Sequence, residues 1–122
     1  MTDSATVVRR LFEAMQQRRW DEAAALLAPD VTVWWPVTDE RFQGAKFIEM
    51  QEAYPAGWEI TVVEVLGIGD RVTARVAVDQ DGERFWCHGW YEVSDGHLTD
   101  AIELWVTEGS ETPPEWRARF AE

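Results

Sequence analysis

The 122-residue chain has few of the residues from which metal sites and thiol chemistry are built. It contains one cysteine, Cys87, and two histidines, His88 and His97. A single cysteine cannot close an internal disulfide, so we expect a cytoplasmic protein. No helical spacing joins the two histidines as a metal pair, and CxxC, HExxH and glycine-rich phosphate motifs are lacking. We therefore expect neither a metal nor a cofactor.

Long apolar runs and positive charge are also scarce. No stretch approaches the roughly 18 apolar residues of a membrane span, and the N-terminus lacks the pattern of a signal peptide. Acidic residues number 23 against 11 basic ones, which gives a net charge of −12. Such a surface repels phosphate backbones, so we expect no nucleic acid and no membrane as partner. Hydrophobic residues make up 46% of the chain, enough for the core of one domain.

The first half of the chain is predicted to be mainly helical. Three segments have apolar residues at helical spacing: residues 4–19, 20–27 and 44–54. The second ends before Pro29 and the third ends at Pro55, because proline disfavours helix in the residue before it. Residues 31–35 read VTVWW, a β-branched and aromatic run typical of a strand that Pro36 stops, and the following VTDERFQG, residues 37–44, is predicted to be a loop.

The second half is predicted to be a β-meander. Four segments have strand character: residues 58–68, 71–79, 83–93 and 97–106. Gly-Asp or Asp-Gly pairs separate them, and Asp-Gly is a strong hairpin signal. We therefore predict an α+β fold, cone-shaped, with three N-terminal helices packed on a curved, mostly antiparallel sheet. Residues 1–122 would form a single domain, with residues 107–122 as a C-terminal tail whose aromatic residues suggest that it docks.

The last predicted hairpin determines which side chains share a sheet face. A two-residue turn at Asp95-Gly96 places Ser94 opposite His97. Counting outward pairs three further couples on one face: Trp90 with Ala101, His88 with Glu103, and Trp86 with Trp105. The other face is mostly apolar and includes Phe85, Cys87, Tyr91, Ile102 and Leu104. We expect this apolar face to be the outer sheet face and to suit a homodimer.

The His88–Glu103 couple is a candidate proton-transfer site. A second two-residue turn at Asp81-Gly82 would add Arg75 opposite His88, a placement that a longer loop would shift. In this hypothesis His88 carries the proton and Glu103 orients the His88 ring or favours its charged form. Arg75 stabilises an anion that develops on the ligand. The alternative is a structural ion pair without chemistry.

The aromatic residues around this row predict a pocket for a small apolar molecule. The candidate ligand-binding residues are Trp35, Trp58, Trp86, Trp90, Trp105, Ala101, Tyr54 and Asp39. Two of them have a plainer interpretation, since Asp39 can lie in a solvated loop and Tyr54 can pack at a helix end.

Several segments, taken in order, resemble a known superfamily. They are the opening VVRRLFEAMQQRRWDEAAALLAPDVTVWWPV, the third-helix start FQGAKFIEM and the hairpin YEVSDGHLTDAIELW. Together they resemble the nuclear transport factor 2-like superfamily, which includes ketosteroid isomerases and SnoaL-like polyketide cyclases. The set WWPVTDERFQG, AYPAGWEI, ELWV and PPEWRA resembles a SnoaL-like bacterial branch.

The resemblance carries over to individual residues only in part. Ketosteroid isomerases place a general-base Asp before a Pro at the end of the first strand, where this chain has Trp35. Their oxyanion-donor Tyr corresponds to Leu11 and their second donor, an Asp, to His88. The resemblance therefore disfavours steroid-type isomerisation.

The residue types of the candidate site are more similar to the catalytic residues of two other groups in this superfamily. SnoaL-like cyclases use a His and an Asp of the last strands for acid–base chemistry, and His88 with Glu103 is similar to that pair. Epoxide hydrolases of this fold use an Asp-Arg-Asp set, which Arg75, Glu103 and Asp39 resemble only loosely.

These observations predict a SnoaL-like small-molecule pocket protein. It would be an acid–base enzyme of isomerase, cyclase or lyase type acting on an apolar cyclic or aromatic compound. The alternatives are a binding protein that uses the same pocket without chemistry and a homodimeric interaction module. The ligand itself does not follow from the sequence.

Overall fold

The computed structural model describes residues 3–122. Its elements are α1 (Ser4–Gln16), α2 (Trp20–Ala25), β1 (Leu27–Trp35), β2 (Glu40–Gln43), α3 (Ala45–Ala53), β3 (Glu59–Ile68), β4 (Arg71–Gln80), β5 (Glu83–Ser94), β6 (His97–Thr107) and a 3₁₀ helix (Glu115–Phe120). The six strands form one sheet in the order β2-β1-β6-β5-β4-β3. The pairing of β1 with β6 is parallel and the other pairings are antiparallel. The predicted α+β class and the four-stranded meander are confirmed.

Helix α1 covers the inner face of the sheet. Asp3 caps it by accepting a hydrogen bond from the backbone N–H of Thr6 at 2.9 Å. Its buried residues follow helical spacing: Val7, Val8, Leu11, Phe12, Ala14 and Met15. The helix ends at Gln16 rather than at residue 19, because Arg18 adopts a positive φ of 59°.

Strand β2 was not predicted, since its segment was assigned to a loop. The sequence ERFQ has no β-branched residue, yet Glu40 pairs with Trp35 and Phe42 with Val33 across a turn in which Asp39 has a φ of 56°. Strand β1 also begins earlier than predicted, at Leu27, which pairs with Leu98 of β6. Tertiary pairing, rather than local propensity, forms both segments.

A β-bulge near the last turn changes the register of β5 and β6. Ser94 pairs with His97 as predicted, but Val93 pairs with Leu98 and Glu92 with Asp100, so Thr99 is an extra residue. Its hydroxyl donates to the carbonyl of Glu92 at 3.2 Å.

Beyond the bulge every partner differs by one residue from the predicted register. His88 pairs with Leu104, and Glu103 pairs with Gly89. The predicted couples Trp90–Ala101, His88–Glu103 and Trp86–Trp105 are therefore wrong, because a one-residue shift moves side chains to the opposite face. The predicted pairing of Arg75 with His88 is confirmed.

The bulge also changes the composition of the two faces. The inner face, under the helices, carries buried residues of both strands: Cys87, Tyr91, Ala101 and Glu103. The outer face carries Trp86, His88 and Trp90 of β5 with Ile102, Leu104 and Val106 of β6. The predicted apolar dimer face is thus split, since Cys87 and Tyr91 lie inside while Ile102 and Leu104 lie outside.

The C-terminal segment does not dock on the described chain. Trp116 is 69% exposed and Phe120 is 68% exposed. Within residues 3–122, no helix has both the length and the apolar character needed to cross a membrane.

Candidate functional site

A cavity of about 400 Å³ is bounded by α1, α3 and the inner face of the sheet. Seven lining residues are aromatic: Phe12, Trp35, Phe42, Tyr54, Trp58, Phe85 and Trp105. Several rings pack on one another, with centroids 4.9 Å apart for Trp35 and Phe42 and 5.9 Å apart for Trp35 and Trp105. The volume and the mostly aromatic lining fall within the range that small-molecule sites in proteins typically have.

Besides Glu103, the polar residues that line the cavity include Thr38, Glu40, Gln51 and Gln80. The Thr38 hydroxyl donates to Glu40 at 2.6 Å, and the Gln80 amide donates to the carbonyl of Pro55 at 2.9 Å. Glu40 is exposed, and Tyr54 beside the same cavity is 44% exposed. These groups form a polar rim around an apolar interior.

Glu103 is a buried carboxyl group in the cavity wall. Its Oε1 accepts hydrogen bonds from the indole N–H groups of Trp35, at 3.0 Å, and Trp105, at 3.4 Å. Its Oε2 accepts the hydroxyl of Tyr91 at 2.5 Å. Trp35 and Trp105 line the cavity and Tyr91 does not, so the donors to Oε1 belong to the cavity wall and the donor to Oε2 lies behind it.

Burial and hydrogen bonding act in opposite directions on the ionisation of Glu103. Burial raises the pKa of Glu103 above its ordinary 4.5, although the donors Tyr91, Trp35, Trp105 and Cys87 partly offset the shift. Burial, and then the nearby Glu103 charge, raise the pKa of Tyr91 well above 10. The same two causes, in the same order, raise the pKa of the Cys87 thiol, so both groups stay protonated donors.

Gly89 makes room for this arrangement. It lies opposite Glu103 in the strand pair, and a Cβ atom at this position would collide with the ring and hydroxyl of Tyr91. The glycine in the interior of β5 therefore allows Tyr91 to reach the carboxyl group.

The structure brings only some of the predicted site residues together. Five line the cavity: Glu103, Trp35, Trp58, Trp105 and Tyr54. Ala101 is buried on the inner face but does not line the cavity. Asp39 instead accepts hydrogen bonds from Trp34 and Arg41, both at 3.3 Å, in an exposed turn.

The other four predicted residues, Arg75, His88, Trp86 and Trp90, lie on the outer face. His88 stacks on Trp90 with ring centroids 5.0 Å apart and planes at 21°. Because the sheet separates them from the cavity, the predicted row of Arg75, His88 and Glu103 does not form.

Sequence reasoning missed Tyr91, Phe42 and Gly89 as parts of the site. Tyr91 was placed on the apolar face that we expected to be the outer one, and Phe42 was placed in a loop. Gly89 was the available signal, because a glycine inside an aromatic strand indicates close approach of a neighbouring group. Among residues 3–122, no three His, Cys, Asp or Glu side chains cluster as a metal site requires.

The chain belongs to the SnoaL-like domain family, whose model matches residues 8–101. A crystal structure of a candidate ketosteroid isomerase from Kribbella flavida DSM 17836 is similar with a TM-score of 0.87 and 32% identity. The match covers 98% of this chain and 87% of that one. No curated protein gives a significant match to the sequence.

Two more distant structures share the fold. An LEH-like epoxide hydrolase from M. tuberculosis has a TM-score of 0.71 and 21% identity, over 84% of this chain and 82% of that one. A candidate polyketide cyclase from Sinorhizobium meliloti has a TM-score of 0.69 and 22% identity, over 80% of this chain and 93% of that one. The SnoaL-like fold of this chain therefore has isomerase, cyclase and epoxide hydrolase relatives.

Proposed function

We propose that the protein binds an apolar cyclic or aromatic compound in the cavity and that Glu103 exchanges a proton with it. The observation that carries this proposal is one buried carboxyl group in an aromatic wall, fixed by donors from Tyr91, Trp35 and Trp105. Acid–base catalysis needs a positioned group whose pKa lies closer to neutral pH than usual, and burial moves Glu103 in that direction.

The similar structures support an enzymatic role without naming the reaction. Those described above are a candidate isomerase, a candidate cyclase and an epoxide hydrolase. Trp35 stands where the resemblance places the base of ketosteroid isomerases, so the proposed proton carrier lies on a different strand. One fold can host many reactions, and the proposal therefore rests on the site itself.

Binding without chemistry is the second candidate. Both oxygens of Glu103 already accept hydrogen bonds from fixed donors, which reduces the basicity of the carboxylate. A carboxyl group in that state can equally serve as the polar anchor of a binding cavity.

Two neutral probes separate these candidates. N-phenyl-1-naphthylamine reports occupancy of an apolar cavity by its fluorescence. 5-Nitrobenzisoxazole reports a carboxylate base: Glu103 would take the proton on ring carbon 3 while the ring N–O bond breaks, which yields a cyanonitrophenolate. The proton then passes from Glu103 to water. We expect both binding of the first probe and conversion of the second.

The matched variants are Glu103→Gln and His88→Gln, which remove one ionisable group from each face of the sheet. We expect Glu103→Gln to lower the conversion rate about 100-fold or more, within the range of general acid–base contributions. His88→Gln should leave the rate within about twofold of wild type. Probe binding without Glu103-dependent conversion would support the binding function, and a rate that depends on His88 alone would contradict the proposal.

We also propose that the outer sheet face forms a homodimer. This face carries Trp86, Trp90, Ile102 and Val106, and Trp90 is 44% and Val106 52% exposed. Contiguous apolar surface of this kind favours self-association. Light scattering should give twice the monomer mass for the wild type and the monomer mass for Trp90→Glu, and a monomeric wild type would contradict this part.

A further inference from the structure

The cavity contains negative charge that no lining cation balances. Glu103 lies in its wall and Glu40 at its rim, and among residues 3–122 no lysine, arginine or histidine lines it. The chain as a whole has a net charge of −12. The potential inside the cavity is therefore negative whenever Glu103 is ionised, which disfavours an anionic ligand and favours a cationic one.

The orientation of the two tryptophans adds to this preference. The indole N–H groups of Trp35 and Trp105 point to Glu103, so the positive edge of each ring is occupied by the carboxyl group. The faces of aromatic rings carry the negative part of the quadrupole and are the part of a ring that attracts a cation. Phe42 also lines the cavity and packs edge-to-face with Trp35, with ring centroids 4.9 Å apart and ring planes at 70°.

Arg18 contacts Trp58, which lines the cavity, but the guanidinium group of Arg18 lies outside the cavity. The guanidinium group of Arg18 lies 3.5 Å from the ring centroid of Trp58. It donates hydrogen bonds to the carbonyls of Gln16, at 2.7 Å, and Trp58, at 2.5 Å, and it does not line the cavity. Trp58 shows that an aromatic ring of this wall accepts a cation on its face.

From these observations we infer that the cavity is a site for an organic cation, an apolar cyclic or aromatic compound with a quaternary or protonated amine. Its ammonium group would lie against the faces of Trp35 and Trp105 on the Oε1 side of Glu103. The inference rests on the proposed small-molecule function and narrows its ligand class. About 400 Å³ holds such a compound of drug-fragment size.

Two isosteric probes test the charge preference alone. Benzyltrimethylammonium and neopentylbenzene have the same shape and differ in a positive nitrogen against a neutral carbon, while phenylmethanesulfonate supplies an anion. Each would be measured by displacement of bound N-phenyl-1-naphthylamine at neutral pH. We expect the cation to bind about tenfold more tightly than its neutral isostere, and the anion to displace no probe.

Two variants test whether Glu103 causes the preference for the cation over its neutral isostere. Glu103→Gln should reduce the ratio between cation and isostere to about threefold or less, because only the ring faces remain. Glu40→Gln should change the ratio less, because Glu40 is exposed to solvent. The wild-type comparison needs no variant, so the test survives a Glu103→Gln protein that fails to fold.

The possible results separate this inference from the proposed function. Equal affinity for the two isosteres, or displacement by the anion, would overturn the cation preference while bound N-phenyl-1-naphthylamine still supports a ligand cavity. A cation that displaces nothing from a probe-loaded cavity would also overturn it. Failure of every probe to bind would contradict the proposed function as well.

Discussion

The hydroxyl of Tyr91 on β5 donates a 2.5 Å hydrogen bond to Oε2 of Glu103 on β6, where each residue is only 3% exposed. The contact crosses two neighbouring strands on the inner face and exists because the bulge at Thr99 turns Glu103 inward. A carboxyl group placed there without donors would be costly. The hydrogen bond therefore links the stability of the sheet to the ionisation of the carboxyl group in the cavity wall.

Removing the Tyr91 hydroxyl should raise the pKa of Glu103 further, because this donor lowers it in the wild type. We expect Tyr91→Phe to reduce the free energy of unfolding by about 1.5–3 kcal/mol, the range for hydrogen bonds to charged groups. Denaturant unfolding and carboxyl NMR would measure the two effects. Tyr54→Phe is the matched control, since Tyr54 is 44% exposed and makes no hydrogen bond to Glu103, and it should change neither quantity. A Tyr91→Phe protein identical to wild type in both would contradict the role of this bond.

Stability should depend on pH through Glu103. Its pKa in the folded state is raised above 4.5, so the folded protein binds more protons than the unfolded chain over the window from about 4.5 up to the folded value. The free energy of unfolding therefore falls as pH rises through that window and is constant above it with respect to this group.

The variant Glu103→Gln removes this contribution. The difference in unfolding free energy, wild type minus variant, should decrease across the same window, and other titrating groups cancel in the difference. Denaturant unfolding at several pH values measures it. A difference that stays flat or rises with pH would mean that Glu103 is not held in a desolvated site.

A larger residue at Gly89 should displace the Tyr91 side chain and so destabilise the protein. A methyl group at this position collides with the Tyr91 ring, so Gly89→Ala should cost about 1–3 kcal/mol of unfolding free energy. In the background of Tyr91→Ala the collision partner is gone, and the cost of Gly89→Ala should shrink. Equal cost in both backgrounds would show that the two residues are not coupled.

The two faces of the last hairpin should respond differently to the same substitution. Trp105→Ala removes a cavity wall and should weaken binding of N-phenyl-1-naphthylamine about tenfold or more. Trp90→Ala acts on the outer face and should leave the affinity within about twofold. The reverse order of effects would mean that the ligand space lies on the outer face.

Local signals in the sequence were sufficient for the helices and the meander. The Asp-Gly turns form with positive φ at both residues, 50° and 81° at Asp81 and Gly82, and 51° and 77° at Asp95 and Gly96. These are the angles that a two-residue type I′ turn requires, and Asp-Gly adopts them readily. The pairing of Arg75 with His88 follows directly from the first of these turns.

The bulge could not be predicted from the same signals. No glycine or proline marks Thr99, and the extra residue is accommodated where Asp100 also pairs in parallel with Thr32 of β1. That pairing is formed by residues more than sixty positions away in the chain. A register counted outward from the turn was therefore correct at Ser94 and wrong at His88.

The one-residue error in the predicted register gave Glu103 the wrong neighbouring side chains. An isolated hairpin gives no information on which face the helices cover, so His88 and Glu103 both fitted an aromatic face. In the folded chain Glu103 lies with Trp35 and Trp105 in the cavity, while His88 stacks on Trp90 outside. The residues around Glu103 come from β1, β5 and β6, which only the tertiary fold brings together.

The most direct test is a pH titration of the Glu103 side-chain carboxyl by NMR, in the free protein and with benzyltrimethylammonium. We predict that the pKa of Glu103 lies above 4.5 in the free protein, because the group is buried, and that it is lower with the cation bound, because the positive charge stabilises the carboxylate. A carboxyl group that titrates as an ordinary exposed glutamate and does not respond to the ligand would contradict a functional role for Glu103 in this cavity.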